Sequence, residues 1–339
     1  AETPVEEKHE KRATLLTRKR ELLIQERATL RQSEHQVIAS LKRVQWDRVE
    51  PVLVLAPPSA YATWVYLRMI ASSAPYTGRP GRMIRLFCLD QRTHVPIGVI
   101  EVGSDLQSLK LRDDWIGWTH DEKYREGGLQ RVANVSSCVP VAPFGLLCGG
   151  KYLADALVTD DQFSIARLWK QKYGETLGLL TITSLFGKSS MYNRLPRLTY
   201  LGTTMGLGVT QLSSSEYDLL KRFALHIGLT GRAKNRTFLT TSRNDLLDTV
   251  CAYLGVKREE ISVRTPKGVY IAPVVANPVQ VCRWNEQPDR IKRSRQDAQD
   301  YYRARWLAMR LKNDDIRSQV NAFDPETYRV DAQIELCRG

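Results

Sequence analysis

VSSCVPVAPFGLLCGGKYLADAL, residues 135–157, decides the fold class. The β-branched and small residues from Val135 to Ala142 form a strand pattern that stops at Pro143. Phe144 to Lys151 is rich in glycine, with Gly145, Gly149 and Gly150, and it opens onto an apolar helical stretch near Tyr152 to Leu157. A strand, a glycine turn and a helix start together favour a phosphate, because free amides and the helix dipole point at it. The three glycines match no recognised nucleotide fingerprint, so a plain turn is the competing reading.

Downstream, a helix is expected over Gln162 to Tyr173, ended by Gly174, and a second buried strand over Leu177 to Phe186. Directly after that strand comes the densest polar cluster: Gly187, Lys188, Ser189, Ser190, Tyr192, Asn193 and Arg194. Beyond it lie Leu198 to Thr204 and the glycines 206 and 208. Loops at strand C-termini are where open α/β sheets place their chemistry. The bland alternative is a capped turn in which Tyr192 packs and Arg194 pairs with a neighbour.

Upstream, residues 5–45 lack Pro and Gly and set leucines among charges at helical spacing, which predicts one long amphipathic helix. It either pairs as a coiled coil or packs across the main domain. Pro51 to Pro58 reads as a boundary, Tyr61 to Ala71 as a short helix and Pro75 to Gly81 as a loop. Met83 to Leu89 and Val95 to Val102 read as a hairpin with His94 in its turn. Asp113 and Asp114 read as turn caps, since adjacent side chains on a strand face opposite ways. Asp121 to Val132 reads as a polar helix.

The tail predicts helices at Glu216 to His226 and at Asn244 to Leu254 capped by Ser242, then a hairpin over Ile261 to Val275. Residues 283–312 read as a basic helical arm, and the last twenty or so residues as polar and loosely ordered. The expected architecture is α/β (α+β), a mixed central sheet flanked by helices. Its parts are a long helix (1–50), a core (51–212), a helical and hairpin subdomain completing it (213–280), and the basic arm and tail (281–339).

With 50 Lys and Arg against 37 Asp and Glu, the 339 residues carry a formal charge of +13, a field that attracts polyanions. The excess is clustered: eight basic and three acidic residues from Lys8 to Arg31, then six and none from Lys221 to Arg243. From Arg283 to Lys312 there are nine basic and four acidic residues interleaved with Trp284, Tyr301, Tyr302 and Trp306, a mixture suited to phosphate contact and base stacking. The residues expected to touch nucleic acid are Arg232, Lys234, Arg236, Arg243, Lys267, Arg290, Lys292, Arg293, Arg295, Tyr302, Arg303, Arg305 and Trp306. DNA is the favoured partner, and solvated charged faces are the alternative.

Six scattered cysteines without a CxxC signal neither a zinc ribbon nor a disulfide framework, and they read as reduced thiols. The five histidines stand apart with no HxH or HExxH, so no metal is expected. No Walker A motif, GxSxG elbow or dinucleotide fingerprint occurs. The longest apolar run, Pro51 to Leu67, is broken by prolines, so no membrane partner is expected and the cytoplasm is the expected compartment.

Arg112-Asp113-Asp114-Trp115-Ile116-Gly117-Trp118, then Leu129, Arg131-Val132, Asn134, Ser136 and Val139-Pro140-Val141, resembles the core domain of the DruA family of the Druantia anti-phage system. Trp169, Tyr173-Gly174, the Leu179 to Thr183 strand, Tyr192-Asn193-Arg194 and Gly202-Thr203-Thr204 continue the likeness in the same order, as do Arg264 to Pro273 and Tyr301 to Arg310. The resemblance spans residues 83–310. A His-Tyr-Leu-Gly stretch expected before the first strands is not evident, and the long helix replaces a small helical module. A phage or mobile-element relative therefore stands beside membership of a defence system.

The order of elements is also similar to the acetyltransferase-like (GNAT) fold, which implies a GNAT-like mixed sheet. By that resemblance, Phe144, Gly145, Gly149, Gly150 and Lys151 would hold an activated donor, an acyl-CoA-like one being an option. Leu177 to Phe186 would be the splayed neighbouring strand. The usual Arg/Gln-x-x-Gly-x-Gly/Ala signature is absent, so a degenerate or repurposed pocket is the alternative. The implied function is a nucleic-acid-directed transferase similar to the phage Mom proteins. Tyr192 would be its general acid, Asn193 and Ser190 would orient the acceptor, and Arg194 or Lys188 would neutralise developing charge. The other reading is a non-catalytic nucleic-acid-binding or assembly protein on the same scaffold, with a partner protein or a second copy meeting its N-terminal helix. An open cavity beside Tyr192 would favour the first, and a filled one the second.

Overall fold

A computed structural model of the chain describes residues 5–76, 81–162, 164–204, 214–230, 243–257 and 266–338. Among these, the branched apolar runs form one mixed sheet of seven strands. They are β1 (Pro51–Leu55), β2 (Met83–Asp90), β3 (Val95–Ser104), β4 (Val132–Pro140), β5 (Leu179–Ser184), β6 (Thr199–Thr203) and β7 (Gly268–Pro273). Their order is β1-β2-β3-β4-β5-β7-β6, and every neighbouring pair is antiparallel except β4 with β5. β2 and β3 make the expected hairpin, with His94 at φ 57 in its turn.

The parallel pair positions the site. β4 meets β5 only from Val132↔Leu179 to Val135↔Ile182, although β4 runs on to Pro140. On its other side, β4 carries one extra residue: Val102 faces Val135 and Glu101 faces Ser137, which leaves Ser136 as a bulge. A bulge bends its strand and raises the local twist. Beyond Val135, β4 continues to Pro140 without a ladder partner in β5.

Helices α1 (Val5–Gln25) and α2 (Arg27–Leu41) stand where a single helix was expected. The break is local to Glu26, at ψ 7, and bonds from Glu26 N to Leu22 O and Leu30 N to Glu26 O, both 2.9 Å, carry the chain across it. Leu30, Val37, Ile38 and Leu41 of α2 are buried in the core that includes the sheet, so the helix packs across the domain. Arg27 reaches Asp331 at 2.7 Å and Lys42 reaches Glu326 at 2.7 Å, which ties the N-terminal helices to the C-terminal segment. There Val330 and Tyr328 are buried, so residues read as loosely ordered form part of the core.

α1 buries Lys19, whose ammonium donates to Ile70 O at 2.8 Å and Gln333 Oε1 at 3.1 Å. Burial lowers its pKa to about 8; Cys337 opposes the shift and Arg68 adds to it. Between pH 8 and the ordinary lysine value the unfolded chain binds more protons than the folded one, so stability rises with pH across that window and is lost again as pH falls towards 8. The stability difference between the native chain and Lys19→Met is expected to grow in favour of the native chain by up to about 3 kcal/mol from about pH 8 to about pH 10. Urea unfolding of both chains across that range checks it.

α3 (Tyr61–Ala71) covers the sheet face that bears Glu101 and Ser137, and its Arg68 Nε donates to Ser137 Oγ at 2.7 Å. α4 (Lys110–Ile116) and α5 (His120–Tyr124) carry the Asp113-Asp114 pair and its partners. Asp113 therefore lies on a helix rather than capping a turn. The polar helix expected over 121–132 ends early at α5 and continues as a 3-10 turn, Gly128–Arg131. α6 (Gly149–Ala156) covers the opposite sheet face, where Gly98 lets the Leu153 methyls come within 3.2 Å of its Cβ position. α7 (Ile165–Tyr173) is capped by Ser164 and ended by Gly174 at φ 75.

The basic arm is helical at Pro278–Trp284 and Arg295–Tyr302, the latter opened by a Ser294–Asp297 capping box. It packs against the core: Ala298 and Tyr302 are fully buried, and Tyr302 Oη donates to Leu147 O at 3.0 Å. Residues Met205–Pro266 form a separate compact unit between β6 and β7. Within it, α8 (Ser214–His226) and α9 (Arg243–Leu254) share a small core of Ala224, Leu246 and Val250 with Phe223 and Leu220. The Ser242 cap, Gly206, Gly208 and the first half of the 261–275 hairpin lie outside the described residues. No described helix is long and apolar enough to cross a membrane.

Candidate functional site

The turn 144–151 follows β4 and leads into α6, and its glycines answer to close packing. A Cβ on Gly149 would lie 2.3 Å from the buried Phe144 ring, and one on Gly150 would lie 2.8 Å from Met191 Sδ. Several turn amides are already used within it: Gly149 N bonds Phe144 O at 2.8 Å and Cys148 N bonds Gly145 O at 3.2 Å. Cys148, at φ 61, opens α6.

The polar loop 187–194 folds onto this turn. Lys151 Nζ donates to Ser190 O at 2.6 Å and to Asn193 O at 2.7 Å. Tyr270 on β7 holds the loop from the other side, accepting from Ser189 N at 2.8 Å and donating to Asn193 Oδ1 at 3.0 Å. The Tyr192 ring packs edge-on against Tyr270 at 5.4 Å, Tyr200 lies 5.0 Å beyond it, and Lys188 Nζ stands 5.5 Å over the Tyr200 ring. Tyr192, Asn193, Ser190 and Lys151 are thus brought together, with Lys188 at the far end of the tyrosine row.

Electrostatics separate the roles these groups can take. Burial pushes the Tyr192 phenol well above the ordinary tyrosine value, with Cys138 and Tyr270 adding to the shift. Among the described residues no hydrogen bond engages its hydroxyl. Such a group is a proton donor at neutral pH. Burial lowers the Lys151 pKa; Cys148 opposes this, and the guanidiniums of Arg194 and Arg310 reinforce it. Arg310 Nε also donates to Cys148 Sγ at 3.0 Å. Three cations therefore converge at the start of α6, where the dipole also favours an anion.

Two buried networks escaped the sequence reading. Glu101 Oε1 accepts from Ser136 Oγ at 2.6 Å, and Oε2 from Tyr76 Oη at 2.7 Å and Arg85 Nε at 3.2 Å. Its one signal was a lone carboxylate inside the apolar run of β3. Around Arg112, Nη1 pairs with Asp105 Oδ2 at 2.8 Å, and Asp113 accepts from Arg112 and from Lys123 Nζ at 2.8 Å. Burial raises the Asp113 pKa, but Lys123 and Arg112 outweigh it and hold the carboxyl below its usual value. Asp105 Oδ1 accepts from Thr181 Oγ1 at 2.9 Å, which in turn accepts from Asn134 Nδ2 at 3.0 Å.

The residues expected to touch nucleic acid are differently placed. Arg290 pairs with Asp160 at 2.5 Å, Arg293 with Asp155 at 2.9 Å, Arg295 with Asp161 at 3.6 Å and Arg303 with Glu50 at 3.1 Å. Tyr302 is fully buried, and Trp306 packs edge-on to Tyr301 at 5.1 Å. Lys292 and Arg305 are exposed and Lys267 is half-buried beside β7. Arg232, Lys234 and Arg236 lie outside the described residues, and Arg243 opens α9.

The model of the family described as Druantia protein DruA matches residues 5–283. A curated relative, the Druantia protein DruA of Escherichia coli (strain UMEA 4076-1), is 28% identical over 203 residues, covering 55% of this chain and 49% of its own. The chain thus spans about half the length of that relative. No solved structure matches. The motifs, their order and the family match agree, and the chain belongs to the DruA family.

Proposed function

We propose that this chain is a nucleic-acid-directed group transferase of the DruA and Mom-like kind, at work in an anti-phage or mobile-element setting. The observation that carries the reading is the loop 187–194 folded onto the turn that opens α6: Lys151 holds Ser190 O and Asn193 O, the Arg194 and Arg310 guanidiniums act on Lys151, and the protonated Tyr192 stands in the same loop. The strand order, with its single parallel pair and bulged β4, supports a GNAT-like sheet. Tyr192 would protonate the leaving group, Asn193 and Ser190 would orient the acceptor, and Arg194 or Lys188 would offset developing charge. Phe144, Gly145, Gly149, Gly150 and Lys151 would hold a phosphate-bearing activated donor once Met191 leaves Gly150. DNA is the favoured acceptor.

A second reading, a non-catalytic binding platform, is favoured by that same contact. Met191 and the Lys151 latch fill the space a donor would need. Both readings require phosphate at the cationic cluster. Binding of a short DNA duplex should weaken with salt, and the double variant Arg194→Ala, Arg310→Ala should reduce the slope of log K against log salt by about 2, at roughly 0.9 per phosphate contact. Fluorescence anisotropy between low and physiological salt checks this. An unchanged slope would remove the cluster from nucleic-acid recognition.

A further inference from the structure

β1 closes one edge of the sheet. Its ladder with β2 is bracketed by Gln91 N to Glu50 O at 2.7 Å and Ala56 N to Arg85 O at 2.9 Å. Alternate residues of an antiparallel strand turn their peptide groups to opposite sides. Those of Val52 and Val54 therefore face β2, while those of Pro51, Leu53 and Leu55 face outward. Pro51 O is covered, accepting from Tyr152 Oη at 2.6 Å and Gln299 Nε2 at 2.8 Å. Among the described residues no hydrogen bond reaches the outward groups of Leu53 or Leu55; Leu55 is 47% exposed, whereas Leu53 is 8% exposed, beside Leu157, Ser164 and Ile165. An edge left in this state is a template for another strand.

Two clefts, of about 750 and 770 Å³, flank this edge and share Val54, Leu89 and His94, so they form one trough across the strand. Its floor is apolar, with Val52, Val54 and Leu89 and the buried Phe87. One wall carries the amides of Gln91, Gln296 and Gln299, and the other carries His35, Ser40 and the exposed Arg43. The one carboxylate lining either cleft among the described residues, Asp161, is ion-paired with Arg295 at 3.6 Å. The walls are thus net cationic above an apolar floor.

We propose that the outer edge of β1 docks an extended, acidic segment of a partner protein, added to the sheet as one more strand. The peptide group of Leu55, at the exposed end of the edge, pairs with its backbone. Every second side chain of the segment, apolar, rests on Val52, Val54 and Leu89, and its carboxylates meet Arg43 and the imidazoles of His35 and His94. Single-stranded nucleic acid suits the trough less well, because bases stack on open aromatic faces and, among the described residues, the one phenyl ring lining it, Phe87, is 4% exposed.

The test is selection of a display library of random dodecapeptides on the full chain, with affinities of the enriched peptides measured against two variants. Leu55→Pro removes an outward N–H and leaves the β1–β2 ladder intact; Arg43→Glu reverses the charge of an exposed side chain. Enrichment of peptides alternating apolar and acidic residues, about tenfold weaker on either variant and lost on N-methylation of the peptide backbone, is the expected result. N-methylation keeps the test independent of how well Leu55→Pro folds. No enrichment, or binding indifferent to both variants, would overturn the proposal. Oligothymidylate binding weakened by Arg43→Glu, with no peptide enriched, would also overturn it and give the trough to nucleic acid.

Discussion

Arg112→Met is expected to lower the unfolding free energy by about 3–5 kcal/mol, the scale for breaking a buried ion pair from one side. Arg112 and Asp105 are both fully buried, at 0% side-chain exposure, and Arg112 Nη1 also donates to Leu106 O at 2.8 Å. Without the guanidinium, Asp105 loses the cation that pairs with it and Asp113 keeps Lys123. Two carboxylates then share one charge in a low-dielectric interior. Arg112→Lys should recover little, because an ammonium cannot span Asp105, Asp113 and Leu106 O at fixed geometry. Adding Asp105→Leu to Arg112→Met should recover part of the loss by removing the stranded charge. Urea unfolding of the four chains checks this, and a loss under about 1 kcal/mol for Arg112→Met would contradict it.

Asp155→Ala carries an effect of similar size, about 3–5 kcal/mol. Asp155 is 1% exposed on α6, and Arg293 clamps it, with Nη1 reaching Oδ1 at 2.9 Å and the backbone carbonyl at 3.0 Å. Arg197 lies nearby: burial and then Arg293 lower its pKa, while Asp155 opposes them. Removing the carboxylate therefore leaves two guanidiniums facing each other. The arm should loosen from α6, with faster proteolysis around residues 285–294 and an earlier unfolding midpoint. If Arg293 were held for nucleic acid instead, Asp155→Ala would leave the fold intact and tighten DNA binding.

Residues that carry a strong local pattern were legible in the sequence. β2, β3, β4 and β5 announce themselves as branched runs bounded by turns, and Gly174 ends α7 as a left-handed cap must. β1 was hidden because Pro51, Pro57 and Pro58 punctuate it, and proline is tolerated at an edge strand where no ladder bond is lost. α4 was hidden because Asp113 points inward to offset the charges of Arg112 and Lys123, which erases the apolar stripe that marks a helix. The arm looked like a nucleic-acid strap because its partners Asp155, Asp160 and Asp161 lie far upstream in the chain, beyond any local window. The meeting of Lys151 with Ser190 and Asn193 joins residues some 40 positions apart and has no local signal. Nothing in the local sequence says that Met191 covers Gly150.

The most direct test of the transferase reading is mass spectrometry of digested nucleosides from cells expressing the native chain, against cells expressing Tyr192→Phe, Asn193→Ala at equal abundance. Tyr192→Phe keeps the ring that packs on Tyr270 and removes only the hydroxyl. The expected result is a new nucleoside with the native chain and none with the variant. No new nucleoside from either, with both folded and bound to DNA in cells supplied with phage infection, would contradict transfer and leave the binding platform.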